Sequence, residues 1–202
     1  MTIQLKNISK KYNKEWLFKN LDYTFNTKET YAITGLNGSG KSTLLQIIAG
    51  FIIPSEGKIF VDNEEANEDF YKNISVAAPY LELIEEMTAT EFLQFHLQFK
   101  SIINNFSIAQ ILEQVQLTNA AQKQIRYFSS GMKQRLKLAQ AFFSDTAILL
   151  LDEPCTNLDK QGISLYDQLV KNYSQNRLII ICSNDEEEYS FCNHTLNINQ
   201  YK

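Results

Sequence analysis

The sequence has 202 residues, of which 44% are hydrophobic, enough apolar side chains to build a core and too many for a disordered chain. Its net charge of −4 argues against a general affinity for nucleic acid. No apolar run approaches the ~18 residues of a membrane span. The start, Met1 to Lys6, lacks the apolar h-region of a signal peptide. Cys155, Cys182 and Cys192 are a scattered, odd set without C-x-x-C spacing, which argues against disulfides and zinc.

Residues 3–8 and 21–25 alternate between apolar and polar and predict antiparallel strands, with a turn near 11–14. Thr30–Thr34 is a short apolar run expected to be a buried strand. The stretch Gly35-Leu36-Asn37-Gly38-Ser39-Gly40-Lys41-Ser42-Thr43 follows, and Leu44, Leu45, Ile47 and Ile48 then continue at helical spacing up to Gly50. Pro54 and Gly57 mark a turn before a strand at 58–61. The acidic stretch 62–69 is expected to be a solvated loop, and 74–78 a strand closed by Pro79. From Thr88 the pattern becomes helical. Thr88 and Glu91 have capping-box spacing, and Phe92, Phe95 and Phe99 form a stripe expected to face the core. Further helices are expected over 108–115, 131–143 and 163–173. Strands are expected at 147–151, 178–182 and 195–198, with a short helix opening at 183–185. Trp16, Leu17 and Phe18 are expected to pack, and His96 and His194 to be a helix and a strand residue without a ligand role.

Two segments carry chemistry. Gly35 through Ser42 fits G-x-x-x-x-G-K-[ST] between a strand and a helix, the context in which that motif binds phosphate. Its glycines let backbone N–H groups approach phosphates, and the helix opening at Lys41 adds unpaired N–H groups and its positive dipole end. Lys41 would reach the β- and γ-phosphates, and the Ser42 hydroxyl would ligate Mg²⁺. The second segment is Ile148-Leu149-Leu150-Leu151-Asp152, four apolar residues ending in a carboxylate, as in a buried strand that delivers an acid to Mg²⁺. Glu153 follows and could orient or deprotonate a water.

With these residues in these positions, the sequence resembles the nucleotide-binding domain of ATP-binding cassette (ABC) transporters over essentially its whole length. Phe128-Ser129-Ser130-Gly131-Met132 resembles the family's LSGGQ signature, with Ser130 and Met132 departing, and Thr156-Asn157-Leu158-Asp159 resembles its D-loop. The resemblance implies an α/β fold: a P-loop NTPase core with a mostly parallel sheet, an N-terminal antiparallel β part and an inserted α-helical subdomain. It would form one domain over 1–202, with the core at about 1–86 and 145–202 and the helical part at about 87–144. It further implies ATP and Mg²⁺ as cofactors. Nucleotide would be held by Tyr12 stacking on adenine and by Gly35, Asn37, Gly38, Ser39, Gly40, Lys41, Ser42 and Thr43. Ser129, Ser130 and Gly131 would close over it from the other protomer of a head-to-tail dimer. Ser42 and Asp152 would hold the metal, Glu153 and Lys41 would be catalytic, and Asp159 and Asn184 would be the D-loop and switch residues.

Two further sites depart from the family. After the strand at 74–78 the family has a glutamine, whereas this chain has Ala78-Pro79-Tyr80. Asn184 stands where the family has a switch histidine, and its amide donates a hydrogen bond but carries no proton or charge. The expected function is therefore the ATPase subunit of a transporter, slow in isolation. It would form a homodimer or pseudo-dimer peripheral to the cytoplasmic face of a membrane, docked on a transmembrane permease, with residues 80–87 bordering the groove for it and no nucleic-acid partner. The alternatives are an ATP-dependent dimerising regulatory module with weak hydrolysis and a soluble non-transport ABC protein.

Overall fold

The computed structural model describes all 202 residues. Two compact units emerge, one of residues 1–74, 147–152 and 176–202, the other of residues 75–146 and 153–175.

The first unit contains two sheets. In one, β1 (Thr2–Tyr12) pairs antiparallel with β2 (Glu15–Asn26) and on its other edge with β4 (Glu56–Val61), which carries the two-residue β5 (Glu64–Glu65). Alternation puts Ile3, Leu5, Leu21, Phe25 and Ile59 in the core. The alternation breaks at a bulge where Asn7 takes φ 55, a left-handed conformation asparagine tolerates, and gives its N–H to Asp22 Oδ1 at 2.8 Å.

The other sheet is parallel. Within it β7 (Ile148–Asp152), β8 (Leu178–Cys182), β3 (Thr30–Thr34) and β9 (His194–Asn197) lie side by side in that order. β7 and β8 are buried at every residue, which is why they are continuous apolar runs. α1 (Lys41–Ile48) follows β3 and buries Leu44, Leu45, Ile47 and Ile48. His194 opens β9, its ring stacked on Tyr31 at 4.7 Å.

The acidic stretch 62–69, expected as a loop throughout, supplies β5 and the start of α2 (Glu68–Lys72). Asn67 caps α2 by accepting the Phe70 N–H, so the acids at Glu68 and Asp69 are helix-start charges. Of the three apolar residues at 16–18, Phe18 is fully buried while Trp16 is partly open, with the Lys11 and Lys19 ammonium groups over its ring.

β6 (Ile74–Ala77) leads into the second unit, which is helical: α3 (Ala89–His96), α4 (Ile108–Gln114), α5 (Ser130–Phe142) and α6 (Lys160–Tyr173). Thr88 and Glu91 form the capping box, with Thr88 N–H on Glu91 Oε2 at 2.8 Å and Glu91 N–H on Thr88 Oγ1 at 3.2 Å. The phenylalanine stripe is not all core. Phe92 is buried, but Phe95 is partly open and Phe99 lies beyond the helix at 70% exposure. Their rings sit edge to face at 5.1 Å, pairing with each other where the core ends. Phe106, Phe143 and Tyr173 supply a second aromatic cluster.

Candidate nucleotide site

In the first unit, residues 35–40 connect β3 to α1 at the C-terminal edge of the parallel strands, where open α/β sheets bind ligands. Gly40 caps α1 in the left-handed region, φ 105, so the first N–H groups of the helix are left unpaired and aimed out of its end. The Lys41 side chain folds into the loop. Its Nζ donates to the Gly35 carbonyl at 2.8 Å and lies 3.4 Å from that of Leu36, and the residue is only 6% exposed. The carbonyls that hold this side chain are neutral, so no carboxylate competes with an anionic ligand for it. Ser39 is fully buried, its N–H on the Leu36 carbonyl at 3.0 Å and its hydroxyl packed under Gly35. Asn37 and Gly38 form the exposed tip.

Strand register places the acid. Asp152 pairs with Cys182 on β8, and Cys182 pairs with Ile33 on β3. At the usual strand spacing this puts Asp152 about 9.5 Å from the strand that feeds the loop. Asp152 is 1% exposed. The Cys182 thiol donates to the Lys41 carbonyl at 3.3 Å, stitching β8 to α1. Just past β8, Asn184 Nδ2 donates to Asn37 Oδ1 at 2.7 Å. The first unit thus brings Lys41, Ser42, Asp152 and Asn184 to one edge of one sheet. Tyr12, half exposed at the end of β1, has the Lys10 ammonium 5.2 Å from its ring centre.

A buried carboxylate with a helix-start hydroxyl is a hard, all-oxygen donor set suited to Mg²⁺. The chain has no cluster of three or more His, Cys, Asp or Glu side chains able to hold a metal unaided. That fits Mg²⁺, which keeps waters and takes further ligands from substrate phosphates.

The remaining candidates lie in the second unit. Glu153 has φ 42, a left-handed conformation that costs a non-glycine residue about 1–2 kcal/mol. Such strain concentrates at functional positions. The turn is closed by the Thr156 N–H on the Glu153 carbonyl at 3.1 Å. α5 holds this turn and the segment after it. Gln134 Nε2 donates to the Pro154 carbonyl at 2.7 Å in a buried bond, and Arg135 lies 3.2 Å from Asp159 Oδ1. A Cβ on Gly131 would come within 3.0 Å of the Asn157 carbonyl. Asp159 also caps α6 through the Gly162 N–H at 2.8 Å, so the helix starts at Lys160, three residues before the expected 163. This cap, together with Arg135, holds its carboxyl below the usual range.

Ser129 caps α5 with its hydroxyl on the Met132 N–H at 3.3 Å, leaving Ser130 exposed as the first helical residue. Where the sequence departs at Ala78-Pro79, Lys137 Nζ donates to both of those carbonyls, at 3.2 and 2.9 Å. Burial pushes the Lys137 ammonium down, with help from Lys133. Pro79 and residues 81–86, with Lys133 and Lys137, border an open cleft of about 710 Å³. Gln134, Lys137 and Cys182 escaped the sequence reading because each acts through a bond to a distant backbone carbonyl, which leaves no local pattern.

A family model for ABC transporters matches residues 18–156. The chain is 34% identical over 201 residues to the ABC transporter ATP-binding protein YybJ of Bacillus subtilis (strain 168), covering 98% of this chain and 92% of that protein. It is 29% identical over 188 residues to the cytochrome c biogenesis ATP-binding export protein CcmA of Aliivibrio fischeri, covering 92% of each. Its fold matches, at a TM-score of 0.83 and 26% identity, a dimeric ATP-binding cassette in a post-hydrolysis state bound to ADP and phosphate, covering 97% of this chain and 94% of that one.

Proposed function

Since the chain belongs to the ABC transporter family as an ATP-hydrolysing cassette, we propose that it drives a separate permease by closing and reopening a head-to-tail dimer around ATP. The observation that carries this reading is the loop at 35–41, with its buried Lys41 ammonium and the open end of α1. Gly35, Asn37, Gly38, Ser39 and Gly40 shape the cradle. Lys41 draws in the terminal phosphates, Ser42 and Thr43 open the helix beneath them, and Tyr12 stacks on adenine. Ser42 and Asp152 would hold Mg²⁺, which when bound would supply positive charge beside the phosphoryl oxygens. Glu153, strained just beyond Asp152, orients the attacking water and takes its proton. Ser129, Ser130 and Gly131 present the start of α5 to the nucleotide of the other protomer, with Asp159 bracing that segment through Arg135.

The permease docks at the cleft beside residues 79–86, which supports a peripheral place on the cytoplasmic face of a membrane. The neutral Asn184 and the absence of a glutamine at 78–80 support slow turnover in the isolated protein. Glu153→Gln tests the catalytic assignment: in single-turnover assays it should retain ATP binding and dimer formation and lose hydrolysis by 100-fold or more, within the usual scale of a general base at about 10²–10⁴. Hydrolysis unchanged by that substitution would overturn it.

A further inference from the structure

The base of the phosphate loop is packed and its tip is not. At the base, a Cβ on Gly35 would meet Ile198 Cγ2 at 2.8 Å and one on Gly40 would meet Leu17 Cγ at 2.8 Å. At the tip, a Cβ on Gly38 would find nothing within 4 Å. Asn37 and Gly38 are exposed, yet backbone N–H groups of this loop are what must line up on a phosphate chain. A loose tip loses conformational freedom on binding, and that loss weakens affinity unless the tip is held in place beforehand. The tie that holds it comes from outside the loop: the 2.7 Å bond from Asn184 Nδ2 to Asn37 Oδ1. Asn184 is itself well anchored. It follows β8 directly, where Ser183 N–H reaches the Ile33 carbonyl at 3.4 Å and the Cys182 thiol binds the Lys41 carbonyl at 3.3 Å.

We infer that Asn184 is a positioning residue that preorganises the phosphate loop through Asn37, an uncharged clasp set before nucleotide arrives. This deepens the proposed function and rests on it. A positioning role through Asn37 differs from direct action on the reacting phosphoryl group, because it strengthens diphosphate and triphosphate binding alike and leaves the chemical step untouched.

The test is a double-mutant cycle of Asn37→Ala and Asn184→Ala, read as ATP and ADP affinity and as KM and single-turnover kcat. A neutral hydrogen bond of ordinary net strength predicts about a fivefold loss of affinity for both nucleotides in either single variant. The double variant should be no worse than the singles, the loss should be the same for ATP and ADP and larger than any change in kcat, and melting temperatures should not move because both side chains are exposed. Losses that multiply in the double variant would overturn the clasp, as would a tenfold fall in kcat with affinity intact. Absence of ATP binding by the unsubstituted protein would instead remove the proposed function itself, and the clasp with it.

Discussion

Gly40→Ala tests whether the phosphate loop is built as described. Gly40 has φ 105, and a Cβ there would lie 2.8 and 2.9 Å from Leu17 Cγ and Cδ2 and 2.9 Å from Phe18 Cδ1. The positive φ costs a side-chain-bearing residue about 1–2 kcal/mol. Phe18 is fully buried, so its ring cannot step aside freely, and overpacking of this kind costs about 1–3 kcal/mol. Together these predict a loss of about 2–5 kcal/mol, a large part of a typical domain's stability. Gly38→Ala is the internal control. With φ 75 and open space around the Cβ, it carries the backbone cost alone, about 1–2 kcal/mol. Urea unfolding of both variants measures the difference, and ATP titration of the Gly40 variant should show at least a tenfold loss as the loop shifts to relieve the clash. A Gly40→Ala protein with unchanged unfolding midpoint and ATP affinity would refute the geometry.

Burial pushes the His96 imidazole down to about 4, with Lys100 adding to the effect, while its Nε2 lies 2.8 Å from Ser144 Oγ. Ser144 gives its own proton to the Gln140 carbonyl at 2.6 Å, so Nε2 is the donor, and the lowered pKa leaves the ring neutral near pH 7. Because the unfolded chain binds this proton more readily, stability is full above pH 6.5 and falls as pH drops from 6.5 toward 4, by about 2 kcal/mol once partial exposure is discounted. Urea midpoints at pH 7.5 and 5 should differ, and His96→Gln should remove part of that difference; an identical pH dependence in both proteins would contradict the assignment. Gln134→Ala strips the Pro154 carbonyl of its buried donor and should cost about 1–3 kcal/mol in urea unfolding. It should also slow single-turnover hydrolysis through the Glu153 turn, and a variant with normal stability and rate would count against that link.

The phosphate loop was legible in the sequence because its function dictates residue types at fixed offsets, between a strand and a helix with signals of their own. The same holds for Thr88 and Glu91, whose reciprocal bonds span three residues. Periodicity was less informative about Phe95 and Phe99: spacing defines a stripe, but not whether other residues cover it, and the aromatic pair lies where the helical core runs out. The acids of 62–69 concealed a short strand and a helix start, because Asn67 and the charges after it favour a helix N-terminus as much as a loop. What sequence could not reveal were the long-range ties, such as Gln134 to Pro154 and Asn184 to Asn37, separated by 20 and 147 residues. The proposed sharing of the site between two protomers rests on the resemblance alone, since nothing local to Ser129–Gly131 says which nucleotide it would serve.

That shared site is the central claim, and mixing two inactive variants tests it most directly. Lys41→Ala disables the cradle, and Ser130→Glu places a negative charge where the partner's triphosphate would lie, at an exposed helix start that tolerates an acid. Each variant alone should fail to hydrolyse ATP in a single-turnover assay. A one-to-one mixture should recover about a quarter of the unsubstituted rate, because half the dimers are mixed and each carries one intact site of two. No recovery on mixing, or full activity of Ser130→Glu alone, would contradict a site built from two protomers.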